Sequence, residues 1–325
     1  MEGAISSAIR GFNIRCNKIL RDKFGFICIT NTGTRRLARA FGGIPDILFC
    51  HGVKEYLFNC GITEIDRYYL SIQNAPYFAV GEDIYMLTDF FEESENIFHD
   101  NDMFLNALSQ IGKIHANLRG LEIKPKNIRP SLGEDSEKTL ERLKAIRRKL
   151  MKAGKFSDFD MLFLEGMDFF AEFIEEWNKI SKESEIIKIK EIGQSRFICH
   201  NLLKEENMFI ESEKFYITNF IASSYCHYIY DLAYIIKRYF LSRALAIEAE
   251  KPLNMEKILE IYNIQNPIND IEIKFLRILL LFPDKFIKIS DSYYCKKRVF
   301  VPKTFSLRME DIIRTKEIIR CLLLN

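Results

Sequence analysis

His200-Asn201-Leu202-Leu203-Lys204-Glu205-Glu206-Asn207, then Tyr216-Ile217-Thr218-Asn219-Phe220, then Tyr230-Asp231-Leu232-Ala233, is the stretch on which the fold turns. Its β-like runs, Arg196 to His200, Asn207 to Glu211 and Lys214 to Phe220, form an island of strand sequence, the last two runs joined by a tight Ser212-Glu213 turn. Around the island the sequence reads as helix. Upstream, Leu108, Ile111, His115 and Leu118 recur at helical spacing, as do Leu140, Leu143, Ile146 and Leu150; downstream the pattern resumes from Ile229 to about Leu245 and around 255–263, 270–289 and 308–324. No repeat of fixed period and no low-complexity linker interrupts it.

The N-terminal part reads differently. From Ile14 to about Ala40 short β-like runs dominate: Phe24 to Thr30, a turn at Asn31-Thr32-Gly33-Thr34, and Arg35 to Ala40, which together predict a hairpin. Cys50, Val53 and Leu57 follow at helical spacing and place Glu55 away from their stripe, on a helix ending near Gly61. Tyr68 to Ile72, Tyr77 to Val80 and Ile84 to Thr88 are three further strand candidates. A small sheet with one helix is thus expected over residues 1–90 and a mainly helical remainder over 91–325.

A small sheet, a hinge-like segment and a helical part holding one β island resemble the protein-kinase-like arrangement shared with aminoglycoside and choline phosphotransferases. The run from His200 to Asn207 resembles that superfamily's H-x-D-x-x-x-x-N loop, Ile217 to Phe220 its metal-binding strand end, and Asp231-Leu232-Ala233 its D-L-A helix start. Further marks are Val53-Lys54-Glu55-Tyr56-Leu57, Leu87-Thr88-Asp89-Phe90, Ile114-His115-Ala116, and Phe282-Pro283-Asp284-Lys285-Phe286 with Tyr293-Tyr294. In their order and spacing these resemble the CotS-type spore coat family over nearly the whole chain. The resemblance implies an α+β, bilobal protein-kinase-like fold, with a small β-rich N-lobe carrying one helix and a larger, mainly helical C-lobe.

Phosphoryl transfer needs a carboxylate to position and deprotonate the attacking hydroxyl, and metal with cations to hold the developing charge. Against the family pattern this chain lacks those parts. Leu202 stands where the base aspartate belongs and can neither accept a proton nor orient a hydroxyl; Asn219 stands at the metal carboxylate and offers a hard cation no charge. Ala38 stands at the phosphate-holding lysine, or Arg39 if the alignment slips by one. Strand alternation puts Arg36 on the face of Ala38, roughly 7 Å away, where it could partly compensate. Glu55, the apparent partner of the missing lysine, is then left to solvent or to an Arg36 pair. A residual nucleotide cleft would consist of Arg36, Glu55, Asn207 and Asn219; no metal ligand is assigned and no cofactor expected, ATP and Mg²⁺ entering only if that cleft is still occupied. In the family pattern His200 and Asp231 brace the loop, and Asn207 serves either a metal or its own backbone.

Composition gives several other classes no support. Lys+Arg 47 against Asp+Glu 45 leaves a net charge of +2, no strong field for nucleic acid or anionic membrane, so neither partner is indicated. The apolar run Ile278 to Phe282 is far short of the ~20 residues that span a bilayer. Glu2, Arg10 and Arg15 break any signal-peptide core, so synthesis in the cytosol is expected. The eight cysteines include no C-x-x-C pair and read as reduced, mostly buried thiols. Cys199-His200 and Cys226-His227 look like nucleophile and base, but strand neighbours point to opposite faces. Lys296-Lys297-Arg298 beside Tyr293 and Tyr294 reads as a solvated basic turn rather than a nucleic-acid contact.

The leading expectation is a catalytically degenerate kinase-fold protein acting as a structural or interaction component of a bacterial spore coat. The resemblance implies synthesis in the mother-cell cytoplasm, deposition on the spore coat and other coat proteins as partners. Two alternatives stay open: a small-molecule or protein phosphotransferase with unorthodox carboxylates, Glu205, Glu206 and Asp231 being candidates, or a nucleotide-sensing module without turnover.

Overall fold

The computed structural model describes residues 2–40, 42–92, 96–124, 127–128, 133, 135–211, 214–245, 251–295 and 302–316. The Ser212-Glu213 turn, the Lys296 to Arg298 run and Cys321 lie outside the described residues.

The chain begins with a helix, α1 (Glu2–Gly11), whose Ile5, Ala8 and Ile9 are buried together with Phe12. Strands β1 (Cys16–Asp22), β2 (Gly25–Thr30) and β3 (Gly33–Arg39), helix α2 (Ile44–Asn59) and strands β4 (Phe78–Val80) and β5 (Asp83–Asp89) follow. The strands form one antiparallel sheet in the order β1-β2-β3-β5-β4. Gly25 takes φ 145°, and a Cβ there would stand 2.4 Å from the Leu37 carbonyl oxygen, so the β1–β2 turn can only close on glycine. Two sequence readings are corrected. The sheet carries two helices rather than one, α1 covering one face over Cys28, Leu37 and Leu87. Residues 68–72 form no strand; Tyr68 makes an isolated bridge to Thr88, and Leu70 and Ile72 are exposed.

Helices α3 (Asn101–Asn117), α4 (Ser136–Ala153), α5 (Asp158–Ile180) and α6 (Ser184–Arg196) lead to the β island. The island is two ribbons, β7 (Met208–Glu211) with β8 (Lys214–Ile217), and β6 (Ile198–Cys199) with β9 (Ser224–Tyr225). Helices α7 (Ile229–Leu245), α8 (Met255–Gln265), α9 (Asp270–Leu281), α10 (Asp284–Tyr294) and α11 (Pro302–Arg314) complete the bilobal α+β architecture. One continuous core runs from α2, through Phe49, Val53 and Leu57, to α3, the island and α7 to α9. A second core joins α4, α5, α10 and α11 around Phe163, Phe170 and Phe286. Helix α2 therefore packs into the same core as the segments that bear the site. None of the described helices is long and apolar enough to cross a membrane.

Candidate functional site

The loop from His200 to Asn207 is held from below by Asp231, 1% exposed in the first turn of α7. Its two oxygens accept the backbone N–H of His200 at 2.5 Å and of Asn201 at 2.8 Å. Burial alone would raise this carboxyl, but the hydrogen bond from His115 and the backbone donors outweigh burial and hold it below the ordinary aspartate value. His115 Nε2 lies 3.3 Å from Asp231, and its Nδ1 2.8 Å from the Tyr262 hydroxyl. Tyr262 accepts from Asn266 Nδ2 at 2.9 Å. Asn266 in turn accepts from Arg119 at 2.7 Å. A chain of hydrogen bonds therefore connects Arg119 to the loop. His200 braces the other side: Nε2 donates to the Thr218 carbonyl and Nδ1 accepts the N–H of Leu202. Burial pushes its imidazole down, so it is a neutral strut.

The two asparagines meet. Asn207 Nδ2 donates to the Leu202 carbonyl at 2.9 Å, which turns its Oδ1 toward Asn219. Asn219 Nδ2 then donates to that oxygen at 3.1 Å. Asn219 sits in the left-handed region, φ 62°, ψ 59°, tolerated by asparagine. A kinase centre holds Mg²⁺ at this pair of positions; here one amide bonds the other directly, without a carboxylate. A hard dication needs anionic oxygen and several free ligands, so the residues present do not fit a metal ion. Among the described residues no group of three or more His, Cys, Asp or Glu side chains could hold one either. Leu202, half-buried, completes the loop without a proton acceptor.

Lys54, which sequence reasoning passed over, is the charged group turned inward from α2. It is 1% exposed, and its Nζ lies 2.8 Å from Asp66 Oδ2 and 4.0 Å from the centre of the Tyr68 ring. Asp66 Oδ1 accepts the backbone N–H of Asn219 at 3.0 Å. Cys50, one turn earlier, donates to the Phe220 carbonyl, and burial pushes its thiol up to about 12. The helix is thus bonded to Phe220 directly through Cys50 and to Asn219 through Asp66. Its signal was in the sequence: Lys54 follows Cys50 by four and precedes Leu57 by three, inside the apolar stripe.

Arg36, Glu55 and Ala38 fall elsewhere. Glu55 faces outward as its spacing predicts, but its partner is Arg67, in a bidentate pair at 3.1 and 2.6 Å. Arg36 bonds Asp22 at 3.1 Å, its guanidinium between the rings of Phe24 in the β1–β2 turn and Phe90 just after β5. Neither joins the Asn207–Asn219 pair. Ala38 pairs across the sheet with Met86 and Arg39 forms an ion pair with Asp83, so neither β3 candidate meets Glu55. Of the alternative carboxylates, Glu205 is bonded to Arg238, Glu206 lies near Lys204 at 3.6 Å, and Asp231 is committed to the loop. Cys199 is fully buried with its thiol pushed up by burial, the state of an inert cysteine.

The sequence profile described as "Spore coat putative kinase YutH" matches residues 48–323. The chain belongs to that family. A search of curated proteins finds no match. Among solved structures, an aminoglycoside phosphotransferase from Alicyclobacillus acidocaldarius superimposes with TM-score 0.85 at 13% identity, over 98% of this chain and 94% of that one. Spectinomycin phosphotransferase APH(9)-Ia, solved with ADP and spectinomycin, gives TM-score 0.64 at 11% identity over 98% of each chain. Amicoumacin kinase hAmiN, solved with AMP-PNP, Ca²⁺ and Ami, gives TM-score 0.59 at 13% identity, over 93% of this chain and 87% of that one. These likenesses establish the fold of this spore coat YutH-family chain, a kinase-like bilobal architecture.

Proposed function

We propose that this spore coat protein is a catalytically silent kinase fold that works as an interaction component of the coat. The observation that carries the reading is the Asn219–Asn207 amide bond, which uses the oxygen a metal would need. Three features support it. Leu202 leaves no base, the Lys54–Asp66 pair ties Asn219 to α2, and the Arg36–Asp22 pair ties β3 to the tip of the β1–β2 hairpin. Catalysis in this fold depends on a lysine–glutamate pair and on an aspartate-held metal being in place together, and each is replaced here by an internal bond. The exposed Leu20 and Ile29, which share one face of the β1–β2 pair, with β1 at the sheet edge, offer a surface to partners in the coat.

The test is hydrolysis and transfer from labelled ATP with Mg²⁺ or Mn²⁺, beside incorporation into spores. The purified chain is expected to release phosphate at the buffer rate, and an Asn207→Ala/Asn219→Ala variant to appear in coat extracts as the wild type does. Turnover above the buffer rate that this variant abolishes would overturn the reading.

A further inference from the structure

A cavity of about 700 Å³ opens between α5, α7, α10 and α11, within the ~300–1,000 Å³ usual for small-molecule sites. None of its lining residues comes from the loop or from the Asn219 segment, so binding in this cavity does not depend on whether the kinase centre is silent. Its apolar wall includes Phe170, Phe240, Leu280, Phe286, Ile289 and Ile312. The charged residues on the wall are unbalanced. Five are cations, Lys237, Arg238, Lys285, Lys288 and Arg308, against two acids, Asp284 and Asp311.

Both acids are already engaged, Asp284 by Lys237 at 3.4 Å and Asp311 by Arg314 at 3.9 Å. Lys237 also donates to the Phe282 carbonyl at 2.7 Å, and Arg238 is bonded to Glu205. Lys285, Lys288 and Arg308 keep part of their surface in solvent and make no ion pair or hydrogen bond among the described residues. We propose that this cavity binds an amphipathic organic anion, its apolar body against Phe240, Phe286 and Ile289 and its anionic head among Lys285, Lys288 and Arg308. An inorganic anion would leave the aromatic wall in water, and an apolar cation would meet three unpaired like charges; only a molecule with both parts satisfies both surfaces. Partial burial, with Arg238 and Lys237 nearby, already holds Lys285 below the ordinary lysine value, a crowding of positive charge that a bound anion relieves. Arg238 gives the site a link to the loop, since an anion beside it competes with Glu205 for the guanidinium.

Calorimetric titration of the full chain with decanoate, decyltrimethylammonium and inorganic phosphate tests the proposal. Decanoate is expected to bind one per chain, at least tenfold tighter than either of the others. Lys285→Glu, an exposed change that leaves the core untouched, should weaken decanoate at least tenfold, and Ile312→Trp, which narrows the cavity, should weaken it at least tenfold as well. Equal affinity for the decyl cation, phosphate binding as tight as decanoate, or Lys285→Glu binding decanoate as wild type would each overturn it. The Lys285→Glu arm decides the matter even if Ile312→Trp fails to fold.

Discussion

At the scale of single residues, the chemistry hinges on two side-chain amides. Asn207 Oδ1 accepts the amide of Asn219, so the pair is neutral and self-satisfied. Asn219→Asp removes the donor and sets a carboxylate against an acceptor oxygen. Asn207 is buried and its Oδ1 loses a donor, while Asn219 is exposed, so water offsets part of the loss and the cost lies toward the lower end of about 1–3 kcal/mol; a cation between the oxygens offsets it further. The variant is therefore expected to melt lower than wild type in EDTA and to regain stability with millimolar Mg²⁺ or Mn²⁺, while wild type responds to neither. Scanning calorimetry checks both, and a metal response in wild type equal to that of the variant would refute the claim that the amide bond stands in for the ion. Leu202 and Asn219 could be read from the sequence because a hydrophobic or neutral residue at a position needing charge is visible in one dimension. That the two asparagines bond each other was not, because contact between positions 207 and 219 depends on the β7–β8 ribbon closing.

At the scale of elements, α2 and the β island act as one unit through Lys54, Asp66 and Asn219. Removing one member of a buried ion pair leaves the other charge uncompensated and typically costs about 3–5 kcal/mol. Lys54→Met should therefore lose about that much stability in urea unfolding. The double variant Lys54→Met/Asp66→Leu should be far less impaired than the sum of the singles; additive losses would show that the pair is not coupled. Lys54 escaped the sequence reading because a charge in a helical stripe is assigned to solvent by default, and its partner sits in an irregular segment with no periodicity. The strand expected at residues 68–72 failed for a related reason: Tyr68, Leu70 and Ile72 alternate like a strand, yet the backbone meets β5 only through Tyr68 and Tyr69, the N–H groups of Ser71 and Ile72 turn to Ala75 and Gly11, and the side chains of Leu70 and Ile72 face solvent. The N-terminal helix is carried by Ile5, Ala8, Ile9 and Phe12, a short stripe among small residues that competes poorly with the stronger β pattern after it.

The same elements set a pH response. His200 and His227 are each about 3% exposed, with burial holding both imidazoles below their ordinary value of 6.5. Below that value the unfolded chain binds protons that the folded chain refuses, so stability falls as pH drops from about 6.5 toward the folded values. Each histidine contributes up to about 1.4 kcal/mol per pH unit in that window. Asp231 and Glu272, both held below ordinary carboxyl values despite burial, add a second loss only below about pH 4 to 5. The melting temperature is thus expected to decline already between pH 6.5 and 5.5, and a flat profile over that interval would contradict the neutral-strut role of His200.

At the scale of the whole molecule, the kinase-like architecture was legible because the order and spacing of elements do not depend on the identity of individual site residues. A β-rich start, a helical remainder and one β island with Asp231 after it sufficed. The engagement of Arg36 by Asp22 and of Glu55 by Arg67 was not legible, since pairing across a hairpin or from a helix to a loop leaves no periodic trace. The central claim is that a kinase fold in the spore coat family has exchanged its metal and nucleotide contacts for internal bonds. The measurement that tests it most directly is a thermal-shift titration of the wild-type chain with ATP, with and without Mg²⁺ and Mn²⁺. Specific binding at about 100 times Kd would stabilise the chain by about 2.7 kcal/mol. The account predicts no shift up to millimolar nucleotide under any metal condition; a saturable, metal-dependent rise that Asn207→Ala removes would contradict it.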